Sequence, residues 1–211
     1  MVSLFKQIEN NEYVDSFLEA YQRGDRFIVF DTEFLQGKGS ENQHVWEIGG
    51  VEAGKDFTES PKTFQELLYF NTDNWRQYWY CLKVCRISKE EMLSGENREE
   101  TIKKFLEFCK GTDESRKTTL ITHTKVDIRA IRREILRHES LIEEWHENDL
   151  WDNYFDSHKL AKCILPEKTG YSISKLTEHF DLTNENAHRA LEDAIVTKKI
   201  VAKMIGVHLK K

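Results

Sequence analysis

The sequence predicts an α/β fold, and three observations carry that reading. Four apolar residues, Phe27-Ile28-Val29-Phe30, all aromatic or β-branched, follow a Gly-Asp turn signal and read as a buried strand. Two more strand-like segments, residues 44–53 and 63–70, come next, and together the three suggest an antiparallel meander. Beyond them, short apolar segments at 120–123 and 153–156 are each followed by a helix-period segment, the alternation expected of α/β layers. A chain of 211 residues can bury a full core, so one domain over 1–211 is expected.

Composition narrows the function classes. With 39% hydrophobic and 11% aromatic residues the chain is not disordered. Its two prolines and lack of low-complexity runs give no sign of a linker. No apolar run reaches membrane-spanning length, so no membrane association is expected. Lys6, Glu9, Glu12 and Asp15 interrupt the N-terminal apolar positions, unlike a signal peptide. Cys81, Cys85, Cys109 and Cys163 show no paired zinc spacing and read as reduced, mostly buried thiols. These features point to an intracellular protein, cytoplasmic or nuclear. The net charge of −6 argues against a general nucleic-acid coat, so any such contact must be local or mediated by metal.

The elements follow in order. Residues 3–23 place Leu4, Ile8, Tyr13, Val14, Phe17, Leu18 and Tyr21 near helical spacing, giving one or two helices in an N-terminal extension over 1–25. The first strand runs into Asp31-Thr32-Glu33-Phe34, and residues 35–43 read as a loop. The second strand carries Gly49 and Gly50, where close packing or a bulge is expected. Residues 74–86 interleave Trp75, Tyr78, Trp79 and Tyr80 with Arg76, Lys83 and Arg86. That mix suits base stacking and phosphate contact, or an aromatic core edge with snorkelling cations. Ser88-Lys89-Glu90-Glu91 is a capping box, and residues 98–109 form an amphipathic helix ended by Gly111.

Thr124 caps a helix that buries Ile128, Ile131 and Ile135 and shows Arg129, Arg133 and Arg137 outward, a solvated face partly paired with Glu134. Residues 157–163 and 172–180 are helical, 184–186 is a turn, and 187–205 is a long helix.

Chemistry-bearing residues fall at the ends of these elements. Asp31 and Glu33 are two apart on a strand and project to one side. Carboxylates that close repel unless a cation lies between them, and an all-oxygen pair suits Mg²⁺ or Mn²⁺. A strand ending in two solvated acids is the alternative for that pair alone. Asp127 sits in a first helical turn after a strand, where α/β sites gather. His188 and Asp193 are five apart, about 140° around a helix. They can cooperate only if His188 lies on the turn before the helix.

These motifs resemble the DEDDh-type 3′→5′ exonucleases, relatives of polymerase proofreading subunits and RNase T. The matching stretches are FIVFDTEF with WEIGGV after it, THTKVDIRAI, and AHRALEDA; RISKEEML and SISKLTEHF resemble connecting segments. The middle stretch lacks the His-Asn pair often seen before its Asp. The resemblance spans about residues 27–204 and implies a ribonuclease-H-like five-stranded mixed sheet flanked by helices. It implies two Mg²⁺ or Mn²⁺ held by Asp31, Glu33, Asp127 and Asp193, with Glu33 and His188 catalytic and His188 the general base. Thr32, Phe34 and Leu35 would touch the terminal nucleotide of a single-stranded or 3′-end DNA or RNA. The Phe34-Leu35 pair replaces the small residues often found there. A catalytically silent nucleic-acid-binding module of the same fold is the alternative, and a carboxylate-pair glycosidase would need neither His188 nor metal. The oligomeric state stays open, a homodimer included.

Overall fold

The computed structural model describes residues 2–35, 44–54, 56–59, 62–71, 75–111, 115–147 and 153–208. The order of elements is α1 (Val2–Arg23), β1 (Arg26–Leu35), β2 (His44–Ala53), β3 (Thr63–Leu67), α2 (Trp75–Lys83), α3 (Lys89–Leu93) and α4 (Arg98–Lys110). There follow β4 (Thr118–Thr122), α5 (Lys125–Ile135), α6 (Glu139–Glu147), β5 (Tyr154–Asp156), α7 (Ser157–Ile164), α8 (Ile173–Phe180) and α9 (Ala190–His208). The sheet order is β3-β2-β1-β4-β5. β1 pairs antiparallel with β2 and parallel with β4, so the sheet is mixed and β1 is its centre. This is the expected ribonuclease-H-like architecture.

β1 shows why the apolar run is continuous. Phe27 and Val29 join one core with Phe17, Leu176 and Val201, while Ile28 and Phe30 join another with Phe105, Leu120 and Ile131. Both faces of a central strand are covered by helices, so the four residues from Phe27 to Phe30 are all apolar rather than alternating. α1 belongs to this packing: Val14, Phe17 and Ala20 are buried in the first core. Of the one or two helices expected in the N-terminal segment the structure forms one, and its residues Val14, Phe17 and Ala20 pack on the sheet. Tyr13 Oη accepts from the Asp156 amide at 2.6 Å, tying α1 to the end of β5.

Capping follows the sequence signals. The Ser88–Glu91 box is formed in both directions, and Thr124 Oγ1 accepts from the Val126 amide. Several boundaries differ from expectation. β1 continues through Leu35, with a bulge between Glu33 and Phe34, because β2 still offers partners there. β3 stops at Leu67; the Leu68 amide still donates to the Trp46 carbonyl of β2, and Leu68 forms a bridge to Glu96. Residues 75–83 are helical, which propensity alone hides because Trp and Tyr favour strands. α6 was not expected. α9 starts at Ala190, three residues later than the sequence suggested. Glu134 is fully buried and bonds both Arg137 at 2.6 Å and Arg98 of α4 at 2.7 Å, so the Arg stripe is partly structural.

α9 lies directly on the sheet at Gly49. A Cβ built there would stand 2.0 Å from the Leu191 amide nitrogen and 2.2 Å from the Ala190 carbonyl carbon. Both are backbone atoms and cannot rotate away. Gly49→Ala should lower folding stability by about 1–3 kcal/mol, the usual cost of overpacking, and lift the start of α9. Urea denaturation checks this; an unchanged midpoint would show that α9 can shift freely on β2.

Candidate active site

The site grows from the carboxyl end of β1. Asp31 and Glu33 point to the same side of the sheet, and the core on both faces fixes the strand that bears them. α5 starts just after β4 and brings in Asp127, which is buried. Its Oδ1 accepts from the Thr32 hydroxyl at 2.8 Å and from the Thr32 amide at 3.2 Å. α9 brings in Asp193, also buried. Its Oδ1 accepts from Asn184 Nδ2 at 2.6 Å and its Oδ2 from the His188 amide at 3.1 Å.

His188 is exposed and lies on the turn before α9 with φ 69°. This left-handed step resolves the angular conflict between residues five apart on a helix. It lets Glu33, His188 and Asp193 each offer a ligand atom within 4.8 Å of the others. The turn is fastened to β2 by an ion pair that the sequence did not disclose. Glu47, fully buried, takes Arg189 Nε at 3.1 Å and Nη2 at 3.0 Å, while its other oxygen accepts the Ala190 amide at 3.2 Å. The sequence signals for Glu47 were an acid within an apolar run and its place in the matching stretch WEIGGV.

A cavity of about 610 Å³ opens beside these groups. Asp31, Thr32, Glu33, Phe34, Asp127, His188 and Asp193 all line it, so seven of the eight residues singled out from the sequence meet in one place. The side chain of Leu35 lies outside the described residues. The far wall comes from His123, Val126 and the start of α8 at Ser172, Ile173 and Ser174. His123 bonds Ser157 Oγ at 3.0 Å, and burial with the neighbouring His158 lowers its pKa to about 4, so it is neutral at pH 7.

The acids repel one another in a poorly solvated place. Desolvation, then Asp127, Glu33 and Asp193, hold Asp31 well above the usual carboxylate range. Desolvation, then Asp193 and Glu47, raise Glu33 to about 8. Asp127 is raised to about 6 by burial, against the pull of its Thr32 hydrogen bonds. Burial raises Asp193 as well. Asn184 Oδ1, beside Asp193, is buried without a protein donor among the described residues. A crowded, oxygen-dominated donor set with an orphaned acceptor fits hard divalent cations, which would remove the repulsion.

The sign of the pH effect follows. In the metal-free protein folded Glu33 keeps its proton to about pH 8, whereas an ordinary glutamate loses it near 4.5. The folded state therefore binds more protons across that window, and stability falls as pH rises from about 4.5 to about 8. Asp127 adds to the fall up to about 6. Saturating Mn²⁺ should abolish the decline, and Glu33→Gln should flatten most of it. Thermal midpoints against pH, with Mn²⁺ and with EDTA, check this; a metal-free midpoint rising across the window would contradict it.

Comparison with known proteins agrees with this geometry. The family model for the RNase T exonuclease domain matches residues 28–201. The PolC-type DNA polymerase III of Caldanaerobacter subterraneus subsp. tengcongensis is 26% identical over 189 residues, 89% of this chain but 12% of that polymerase. The chain thus spans about an eighth of that relative's length. Among solved structures, the nuclease domain of 3′hExo, a DEDDh family member bound to rAMP, superposes with TM-score 0.63 at 15% identity, covering 86% of this chain and 92% of that one. Exonuclease I of E. coli in complex with single-stranded DNA gives TM-score 0.70 at 16% identity, covering 89% of this chain and 41% of that one. The resemblance read from three short motifs holds: the chain belongs to the RNase T exonuclease family, of the DEDDh type.

Proposed function

We propose that this nuclease domain removes nucleotides one at a time from the 3′ end of a DNA or RNA strand, releasing nucleoside 5′-monophosphates. The observation that carries the reading is the convergence of Glu33, His188 and Asp193 within 4.8 Å at the mouth of a cavity large enough for a nucleotide. Asp31, Glu33 and Asp193 would hold one divalent ion beside the attacking water, and Asp31 with Asp127 a second. Two Mg²⁺ or Mn²⁺ would stabilise the charge on the attacking and leaving oxygens of an in-line displacement. The 3′hExo domain was solved with rAMP and exonuclease I with single-stranded DNA, which supports a terminal nucleotide as occupant of the cavity.

The protein's own groups divide the remaining work. His188 accepts the proton of the water at an imidazole nitrogen as the oxygen attacks phosphorus. Its exposure and short reach to Glu33 suit a group that exchanges protons with solvent between turnovers. Asp193 fixes His188 through its backbone, not its ring, so the imidazole stays free to accept. Thr32 keeps Asp127 oriented, and Phe34 and Val126 give the base an apolar wall. Among the described residues no helix is long and apolar enough to cross a membrane.

Digestion of 5′-labelled single- and double-stranded DNA and RNA with Mg²⁺ or Mn²⁺ tests the proposal. Stepwise shortening from the 3′ end, lost in EDTA, is expected; release from the 5′ end or persistence in EDTA would overturn it. Asp31→Ala should abolish cleavage while the metal-free fold stays at least as stable, because one repelling charge is gone. His188→Ala should lose about 10²–10⁴-fold in kcat yet keep Mn²⁺ binding by calorimetry. A His188→Ala protein within about threefold of wild type would remove the histidine from the mechanism.

A further inference from the structure

The turn that carries His188 has little packing to hold it. Residues 185–188 are all exposed. Open space lies on both sides of them. Ala187 and His188 line the cavity of about 610 Å³ that holds the acids, while Asn186 and Ala187 line a smaller one of about 250 Å³. His188 itself has φ 69°, a left-handed step that a residue with a side chain keeps only where its surroundings over-determine it. Neither a core contact nor a regular helix therefore fixes the proposed base.

One buried carboxylate closes the segment from both ends. Asp193 Oδ1 accepts from Asn184 Nδ2 at 2.6 Å, and its Oδ2 accepts from the His188 amide at 3.1 Å. The orientation of the Asn184 amide follows from this contact, because the reverse would set its oxygen against the carboxylate. So placed, Asn184 Oδ1 is buried without a donor among the described residues. A buried acceptor left without a donor normally costs stability. An asparagine that forgoes one bond to keep its donor on Asp193 is placed for that donor.

We infer that Asn184 is a positioning residue for the nuclease reaction: its amide holds the Asp193 carboxylate in the rotation that lets Oδ2 take the His188 amide, and so sets where the imidazole stands beside the acids. The inference rests on the reading of His188 as general base and deepens it. Asn184 touches no reacting atom; it acts through Asp193 and the turn. The terminal torsion of an aspartate is soft, so without the Asn184 donor the carboxylate can swing. The His188 amide then loses an aligned acceptor, and its left-handed φ is free to relax. The ring would leave the place where it now offers a nitrogen within 4.8 Å of oxygens of Glu33 and Asp193. A misplacement of about 1 Å can cost about 10²-fold where the reaction depends on alignment.

The test has an arm without turnover and an arm with it. Hydrogen exchange of the His188 amide, read by NMR in EDTA, should speed up about tenfold or more in Asn184→Ala, as expected for a lost hydrogen bond to a charged group. The amide of Ile200, buried farther along α9, should keep its rate within about twofold. Mn²⁺ affinity of Asn184→Ala by calorimetry should stay within about threefold, because all four acids remain. With Mn²⁺ saturating, Asn184→Ala should lower kcat about tenfold and leave KM within about twofold. Asn184→Asp, which keeps the shape and loses the donor, should be at least as slow, and it carries the test if the alanine variant folds poorly. In a His188→Ala background Asn184→Ala should cost at most about twofold more, since the ring it places is gone. A merely structural asparagine would exact its full cost there. Additive losses, wild-type kcat in Asn184→Asp, or an unchanged His188 amide would each overturn the inference. If the amide exchanges faster in both variants but wild-type cleavage does not depend on His188, the positioning of the turn stands and the general-base reading falls.

Discussion

Repulsion among buried carboxylates is the constraint around which this molecule is arranged. Asp31, Glu33, Asp127 and Asp193 crowd one end of β1, and Glu47 lies close enough to act on three of them. Among the described residues Glu47 alone of these acids is paired with a cation of the protein, Arg189. The others rely on neutral donors: Thr32 for Asp127, Asn184 and the His188 amide for Asp193, and the Cys85 thiol for Glu33. Neutral donors orient a carboxylate without cancelling its charge, so each acid stays above its ordinary pKa until something positive arrives. A site built this way is poised to accept cations and costs stability while it waits, a cost that the two cores on either side of β1 must offset.

Holding repelling groups in register needs rigid supports, and the contact between α9 and β2 supplies them. Gly49 lets the helix backbone sit against the strand, and Glu47 one pleat away clamps Arg189 and Ala190. Both anchors act at the helix start, beside His188 and Asp193. β2 in turn pairs with β1 through the register Asp31↔Gly49 and Glu33↔Glu47. The strand partner of each β1 acid is thus the residue that seats or clamps the start of α9. This places the histidine turn and the acid pair on one frame even though they are more than 150 residues apart in sequence.

That arrangement explains what the sequence could and could not disclose. Asp31 and Glu33 were legible because a two-residue period is local, and helix arithmetic put His188 on a turn on the condition that it cooperates with Asp193. Gly49 announced a close approach but not its partner. The Thr32–Asp127, Glu47–Arg189 and Asn184–Asp193 pairs join residues 9 to 142 positions apart. No periodicity reports such pairings. α2 was hidden for another reason: its Trp and Tyr residues mimic a strand, and its helical state depends on burying Cys81 and Cys85 against Trp46, Ile87 and Met92. The third strand read too long because Leu68 and Phe70 are as buried as strand residues, while the Phe70 amide turns away from β2 to the Met92 carbonyl.

The overall charge of −6 can now be reconciled with a nucleic-acid substrate. A protein that binds phosphates through a basic coat holds them whether or not the chemistry is assembled. On the proposed reading the acid cluster offers a phosphodiester no positive partner until divalent ions fill it. Affinity for the scissile phosphate and competence to cleave it would then come from the same ions and appear together. The walls of the larger cavity are supplied by the β4–α5 junction and the start of α8, whereas the acids stand on β1, α5 and α9. On the proposed reading β1, through Phe34, and α5 serve both recognition and chemistry, whereas the start of α8 bears none of the acids. If that reading holds, substitutions at Ser172, Ile173 or Ser174 would alter which sugar or base is accepted without disturbing the acid arrangement.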